Sequence, residues 1–178
     1  TLSQQLSTGG KTSSLMFGIQ WDLTCKFLEI KGGLTQAEIK GGDEIGSTNW
    51  GNFSNSSISL LRGKYNNSPD STTVQWLDIT TQVPKNNQVL LTTGASEDTN
   101  KMNIYDFAGN VWEWTLEFTS DTGCPCAVRG GDYVSEGSKK PASNHFTIGN
   151  NTFNYNNSGF RASRRPSGLR KTKYLSNS

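Results

Sequence analysis

The fold of this chain is decided mainly in the stretch Tyr105-Asp106-Phe107-Ala108-Gly109-Asn110-Val111-Trp112-Glu113-Trp114. From Trp112 to Phe118 apolar and polar residues alternate, which is the periodicity of a β-strand. This pattern predicts a strand whose core face carries Trp112, Trp114, Leu116 and Phe118. Glu113 then points to the opposite face, unless a ligand holds it.

Working outward from this stretch, three shorter blocks stand out: Trp50-Gly51-Asn52, Arg129-Gly130-Gly131-Asp132-Tyr133 and Gly159-Phe160-Arg161. The paired glycines interrupt an apolar run, which predicts a bulge or a close approach of two backbones. Phe160 is expected to join the core. The polar segment between the second and third blocks shows no hydrophobic periodicity, so most of its side chains are not expected to pack in the core.

The rest of the chain predicts a loop-rich mixed fold. Of its 178 residues 32% are hydrophobic and 18% charged, and Ser, Thr and Asn make up roughly a third, a composition that favours turns over long helices. A helix is expected from 15 to 30, because Met16, Ile19, Leu23, Phe27 and Ile30 recur at spacings of three and four and so share its core face. A second, short helix is expected from Thr35 to Ile39.

Charge and cysteine usage exclude several classes of function. The net charge is +2 and most of the excess lies near the C-terminus, so no nucleic-acid partner is expected. No apolar stretch is long enough to span a membrane. Cys25 is predicted to be a buried thiol. Cys124 and Cys126 are interpreted as two loop thiols, because a disulfide across one residue would close a small strained ring.

These blocks, in this order, resemble the formylglycine-generating-enzyme, or sulfatase-modifying-factor, family. The resemblance implies an α+β, C-type-lectin-like domain with short strands and one or two helices. We expect this domain to span 15–165, after a flexible leader at 1–14 and before a basic tail at 166–178. The strong matches cover about 60 residues, and the first hundred residues match only loosely.

The family's catalysis is not expected to accompany the fold. Catalytic members carry two copper-binding cysteines shortly after the Gly-Gly motif, whereas this chain has no cysteine between Gly131 and Gly159. Ser135 and Lys140 stand about where the pair would be, and neither replaces a thiolate as a ligand for Cu(I). We therefore expect no copper and no oxidase activity.

A calcium ion is what the resemblance does imply. In this family the corresponding block wraps Ca²⁺, and the matching ligands here are the carboxylates of Asp106 and Glu113 with the backbone carbonyls of Gly109 and Val111. Hard oxygen ligands of this kind suit calcium. The alternative is that Asp106 caps a turn and Glu113 faces solvent.

The sequence then favours a non-catalytic binding module whose ligand face lies between the last two blocks, since binding residues commonly lie on loops held by a rigid core. The predicted ligand-binding residues are Asp132, Tyr133, Ser135, Ser138, Asn144, His145, Phe153 and Tyr155. Aromatic side chains among small polar ones are typical of a surface that binds a protein or a glycan.

A specific form of this hypothesis concerns the variable proteins of diversity-generating retroelements, which have the same fold and vary residues between these two motifs. Their mutagenesis acts at adenines, so Asn codons become codons for residues such as Tyr, Ser, Asp, His and Phe, and these populate 132–155 here. Such a protein would be of phage or bacterial origin and extracellular, on a cell surface or on a virion. The alternatives are an oxidase that activates sulfatases and a structural domain of a surface or phage fibre.

Overall fold

The structure is a computed structural model that describes residues 2–7, 9, 11–42, 45–66, 75–81, 88–148 and 157–166. Its helices are short except for the second, and most of its strands are short as well. In chain order the elements are α1 (Leu2–Gln5), β1 (Lys11–Leu15), α2 (Gly18–Ile30), α3 (Gln36–Lys40), a 3₁₀ turn (Thr48–Trp50), β2 (Lys64–Asn66), β3 (Leu77–Asp78), β4 (Leu90–Leu91), β5 (Asn100–Lys101), β6 (Ile104–Tyr105), β7 (Trp112–Phe118), β8 (Cys126–Arg129), β9 (His145–Ile148), β10 (Ser158–Phe160) and β11 (Ala162–Pro166). None of the helices in these ranges is long and apolar enough to cross a membrane.

The largest sheet of the described chain has four strands in the order β10-β7-β8-β9. β7, β8 and β9 pair antiparallel, whereas β10 runs parallel to β7 with Gly159 opposite Glu113. The other sheets are the pair β1-β11, the three strands β3-β2-β4 and the hairpin β5-β6. The parallel pairing brings the Gly-Phe-Arg block beside the Trp-Glu-Trp block.

The edge pair β1-β11 corrects the predicted leader. Lys11–Leu15 pairs antiparallel with Ala162–Pro166 along its whole length. Residues 11–14 therefore belong to the folded body, and the polar run Lys11-Thr12-Ser13-Ser14 hid this strand because it has no apolar face. Most of the predicted basic tail, from residue 167 onward, lies outside the described residues.

Helix α2 was predicted with nearly the right ends and the wrong face. Its buried residues are Gly18, Trp21, Cys25 and Leu28. The predicted core residues Ile19, Leu23, Phe27 and Ile30 are exposed on the opposite side. Both stripes have helical spacing, and the stripe with Trp21 is buried because that indole stacks on Phe107 at 4.1 Å and donates to the carbonyl of Ala142 at 2.9 Å.

Helix α3 confirms the second predicted helix. Thr35 and Glu38 form a reciprocal capping box, in which the Thr35 hydroxyl accepts from the Glu38 amide at 3.2 Å and the Glu38 carboxylate accepts from the Thr35 amide at 2.8 Å. Gly41 ends the helix with a positive φ. Between them α2 and α3 contribute Trp21, Leu28 and Ile39 to the main hydrophobic core.

Strand β7 also has the predicted bounds, but its apolar residues are not uniformly buried. Trp112 is buried and Trp114 half-buried, whereas Leu116 and Phe118 are exposed. Phe160 is 43% exposed and does not join the core either. Glu113 and Thr115, on the other side of β7 from Trp112, are also buried, so the prediction that Glu113 points away from the core is wrong.

Candidate functional site

An aromatic surface lies on the outer face of the four-stranded sheet. Residues directly opposite one another in a ladder share a face. Trp114 lies opposite both Phe160 on β10 and Val128 on β8. Val128 in turn lies opposite Phe146 on β9. This row of side chains crosses all four strands.

The row is only partly covered. Val128 is fully buried beneath it, but Phe146 is 50% exposed and Phe160 43% exposed. Phe118, paired with Cys126, adds an 82% exposed ring to the same face. We call the exposed or half-exposed side chains Trp114, Phe118, Phe146 and Phe160 the aromatic face.

Two neighbours hold Phe146 in place on the edge strand β9. Its ring lies 5.9 Å from the Trp112 ring, at a tilt of 37°. The ammonium of Lys140 lies 5.4 Å from its centroid, which is within cation–π range. Phe146 is thus held between an indole and a cation while half of its surface remains accessible.

The inner face of the same sheet is held by buried polar groups. Arg129 is 6% exposed, and its Nε donates to Glu117 at 2.7 Å while its Nη1 donates to the carbonyl of Ser143 at 3.0 Å. Nη1 also lies 3.4 Å from the Asp22 carboxylate on α2. Arg129 therefore ties β8 to β7, to the helix and to the segment before β9, which makes the sheet a rigid base for its outer face.

The Gly-Gly block makes the close approach that the sequence predicted. Gly130 and Gly131 both have positive φ, and a Cβ on Gly130 would lie 3.1 Å from the Trp21 ring. A Cβ on Gly131 would collide with the carbonyl oxygen of Lys140 and lie 2.8 Å from the Phe53 ring. These contacts fix where the segment after β8 begins.

The structure separates the predicted ligand-binding residues into two groups. Asp132 and Tyr133 are buried, so, contrary to the prediction, they are not part of an exposed binding surface. Asp132 accepts from the Ser135 amide at 3.0 Å and from the side chain of Asn157, and so holds the two ends of the segment together. A carboxylate directly after a tight Gly-Gly turn is placed to accept such bonds.

The remaining predicted residues are more accessible. Ser135, Ser138 and Asn144 are half-buried and His145 is exposed. Ser135 also accepts, through its carbonyl, from the amide and hydroxyl of Ser54. Phe153 and Tyr155 lie outside the described residues.

The Gly-Asn pair of the long motif forms a buried backbone junction. Asn110 accepts from the Leu91 amide at 3.0 Å and donates to the Leu91 carbonyl at 3.1 Å, which imitates a strand partner. It also accepts from the side chain of Asn52 at 3.0 Å. Gly109 forms a parallel bridge with Asn52. These residues join three distant parts of the chain.

The four predicted calcium ligands are close in sequence, and most already have partners within the chain. Both oxygens of Glu113 accept from Arg161, at 2.7 and 3.0 Å. The Asp106 carboxylate accepts from the Gly94 amide at 2.8 Å, and the Gly109 carbonyl accepts from the Val111 amide at 2.9 Å. In this arrangement the residues do not fit a calcium cage, because a guanidinium occupies the Glu113 carboxylate.

Among the residues that the structure describes, no wider set of metal ligands surrounds these carboxylates. Within the described ranges, no three His, Cys, Asp or Glu side chains are grouped as a metal site would need. The calcium site stays a prediction, and the ion would have to displace Arg161 to reach Glu113.

The three cysteines are free thiols. Cys25 is buried on α2, as predicted, and burial raises the pKa of its thiol to about 12, so the thiol stays protonated at neutral pH. Cys124 and Cys126 lie half-buried where the chain passes from β7 into β8. They precede the Gly-Gly block and lie at the opposite end of β8 from it.

Sequence reasoning missed Phe146 and placed Phe118 and Phe160 in the core. The alternation of apolar and polar residues identified which side chains share a face. It did not show that this face carries more apolar side chains than its small hydrophobic cluster can bury. The strand register, which places Phe146 and Phe160 on the same face, was the missing information. Only Trp112, Val128 and Ile148 form that cluster, with Trp114 packed against it.

Comparison with known proteins agrees with this geometry. A family model described as "Sulfatase-modifying factor enzyme 1-like domain" matches residues 30–166, well over half of the chain. No curated protein matches significantly.

A solved structure, Treponema denticola variable protein 1, is similar at 16% sequence identity with a TM-score of 0.52, over 88% of this chain and 48% of that one. This chain therefore spans about half the length of that structure. The likeness confirms the predicted α+β, C-type-lectin-like fold. By the match of the family model, the chain belongs to the sulfatase-modifying factor enzyme 1-like domain family.

Proposed function

We propose that this chain is a non-catalytic ligand-binding module whose binding surface is the aromatic face together with the accessible residues between Ser135 and His145. The observation that carries the proposal is the exposure of three phenylalanine side chains, with the half-buried Trp114, on one face of one sheet. Contiguous exposed apolar surface of this kind marks interaction sites more often than chance exposure.

The rigidity of the base supports the same function. The aromatic side chains project from paired strands whose inner side is held by Arg129 and by the buried Gly-Gly approach. A surface that is already ordered loses little conformational entropy on binding. Rotamer-poor rings such as Phe146 and Trp114 add contact area at low further entropic cost.

The chemistry of the surface favours a protein or glycan partner. Aromatic rings pack against apolar side chains or against the C–H faces of sugars, and Lys140 adds a charged group at one edge, beside Phe146. A phosphate-binding site would instead need a cluster of amides or guanidinium groups directed outward. On the described part of this face, the Lys140 ammonium lies over a ring, and Arg129 is buried on the opposite face of the sheet.

The finer form of the proposal is that this surface is diversified by a retroelement. It is supported by the similar structure, which is itself named a variable protein, and by the run Asn144-His145-Phe146, since codons for His and Phe can be reached from an Asn codon by changes at adenine and Asn is the unchanged residue. A reverse-transcriptase gene beside this one, with a near-copy of the 3′ end, would decide the matter.

The second candidate function is the oxidase activity for which the family is named. Against it stands the segment itself, which offers Ser135 and Lys140, with the Lys140 ammonium lying over Phe146. We expect no conversion of a cysteine-containing sulfatase peptide by the purified chain loaded with Cu(I). Detection of formylglycine by mass spectrometry, above a copper-only control, would contradict the non-catalytic assignment.

The binding surface is tested by alanine substitutions at Phe146 and Phe160. Each is expected to weaken binding to a partner isolated by pull-down by at least about 2 kcal/mol, or roughly 30-fold in Kd, because a few large side chains, aromatic ones above all, dominate interface energies. The measurement is surface plasmon resonance, with melting curves to confirm that each variant is folded. Since both rings are about half exposed, their loss should change stability little.

Phe27→Ala is the matched control, because Phe27 is exposed to a similar degree, 42%, but lies on α2. Its Kd should equal that of the wild type. If Phe27→Ala abolishes binding while Phe146→Ala and Phe160→Ala leave it unchanged, the binding surface lies on the helix and the proposal is wrong.

A further inference from the structure

Arg161 makes an unusually complete set of contacts for a residue just after a short edge strand. Its Nε and Nη2 bind the two oxygens of Glu113 in a bidentate pair, at 3.0 and 2.7 Å. The same Nη2 donates to the backbone carbonyls of Tyr105 and Asp106, at 3.0 and 3.1 Å. Its Cζ lies 5.7 Å from the centre of the Phe107 ring.

Strand geometry explains how Arg161 reaches this position. β10 runs parallel to β7 with Gly159 opposite Glu113, so the two backbones share a register. Side chains two residues apart point to the same face of a strand. Arg161 therefore lies on the same side of the sheet as Glu113. Phe160, which lies between Gly159 and Arg161 in the chain, points to the aromatic face.

The burial of Glu113 and Asp106 explains why a cation is needed near them. Glu113 and Asp106 are each 6% exposed, and a buried carboxylate is costly without a positive partner. Burial raises the pKa of the Glu113 carboxyl, Arg161 opposes that rise, and the charge of Asp106 adds to it. Arg161 answers this need at Glu113, while the Asp106 carboxylate accepts from the Gly94 amide.

The carbonyls of Tyr105 and Asp106, together with a carboxylate, are hard oxygen ligands of the kind that a calcium ion would take. In this chain their contacts go to a guanidinium. Asp106 has a φ of +51°, a conformation uncommon outside glycine, and its backbone carbonyl is one of the two that accept from Arg161. The turn is thus shaped around an internal cation.

We infer that Arg161, and not a calcium ion, is the cation that pairs with Glu113, so that the turn at 105–106 and the strand that carries the aromatic face are held together without a metal. This inference rests on the contacts of Arg161 and is independent of the proposed ligand-binding function. It implies that any activity of the aromatic face persists in the presence of a calcium chelator.

The first test uses the wild-type chain and Ca²⁺ alone. The chain is unfolded in urea, refolded with EGTA or with millimolar Ca²⁺, and melted while circular dichroism is recorded. The two melting temperatures should agree within about 1 °C, because an ion that does not bind the folded state cannot stabilise it. A melting temperature several degrees lower in EGTA would overturn the inference.

The second test removes the guanidinium. Arg161→Met keeps an apolar stem but leaves Glu113 buried and unpaired, so its melting temperature should fall by roughly 10 °C. Arg62→Met is the matched control, because Arg62 forms an exposed pair with Glu97 and its loss should shift the melting temperature by less than about 2 °C. Equal melting temperatures for Arg161→Met and the wild type would contradict the role of Arg161.

A double variant keeps the test decisive if Arg161→Met does not fold. Glu113→Gln combined with Arg161→Met removes both charges and leaves no unpaired ion, so it should melt above Arg161→Met alone. A double variant less stable than the single one would show that the ion pair is not what Arg161 contributes. If neither variant folds, the wild-type comparison in EGTA decides the question by itself.

Discussion

Replacing Gly109 by alanine is expected to prevent the chain from folding. Gly109 has a φ of +71°, and a Cβ at this position would overlap the carbonyl oxygen of Asn52 and lie 2.7 Å from its carbonyl carbon. The obstacle is buried backbone, which has no rotamer into which to move. We expect the free energy of unfolding to fall by more than about 4 kcal/mol, which is a large part of the total stability of an ordinary domain. Circular dichroism and the yield of soluble protein measure this.

Gly33→Ala separates the collision from the cost of the backbone conformation. Gly33 has nearly the same φ, +73°, but a Cβ added to it would have no neighbour within 4 Å. Alanine there should cost only about 1 kcal/mol, the penalty for a left-handed residue. If Gly109→Ala folds and loses no more than Gly33→Ala, the close approach of Gly109 to Asn52 does not exist in solution.

Local sequence signals predicted the elements whose causes are themselves local. The capping box of Thr35 and Glu38 and the stop at Gly41 lie within seven residues and define α3. The two glycines after Arg129 predicted a close backbone approach without revealing its partners, which are Trp21 and the carbonyl of Lys140. A short-range pattern can predict that a segment is packed closely against another part of the chain, but it does not identify that part.

Periodicity was less reliable for choosing between two apolar faces. On α2 the stripe through Leu23 and the stripe through Trp21 both have helical spacing, so the hydrophobic period alone does not rank them. The choice is made by the partners of Trp21, which are Phe107 and Ala142 and lie more than eighty residues away in the chain. Tertiary contacts of this range are not visible in a window of fifteen residues.

On β7 the alternation had the right period, but beyond the buried Trp112 the burial was the reverse of that predicted. Glu113 and Thr115 face the core because Arg161 and the carbonyl of Ala127 satisfy them, at contacts 48 and 12 residues away in the chain. Polar residues can occupy a core face when each polar atom is paired. The aromatic residues of the same strand were thereby left for the outer face, which is why the candidate binding surface was predicted in the following segment alone.

The metal prediction failed to consider Arg161 for a related reason. The resemblance supplied ligands from residues 106–113, and the competing cation belongs to a block near the end of the fold. Its position depends on the parallel register of β10 with β7, and parallel pairing leaves no turn signal between the strands. The register is therefore the part of the site that only the structure provides.

Asn110 is the second position at which a small change should have a large effect. It is buried, and its side chain bonds both the amide and the carbonyl of Leu91 as well as the side-chain amide of Asn52. Asparagine suits the site twice, because it tolerates the φ of +65° and carries a donor and an acceptor on the same planar group.

We expect Asn110→Ala to lower the free energy of unfolding by roughly 4 kcal/mol, since it leaves the buried backbone groups of Leu91 unpaired and places alanine in a left-handed conformation. Urea denaturation followed by tryptophan fluorescence measures the loss. Asn103→Ala is the control, because Asn103 has a φ of +62° but is exposed, so it should lose only about 1 kcal/mol. The difference between the two variants isolates the hydrogen bonds to Leu91 and Asn52. Losses of equal size would mean that backbone conformation alone selects asparagine at position 110, and that the motif does not join β4 to the core through this side chain.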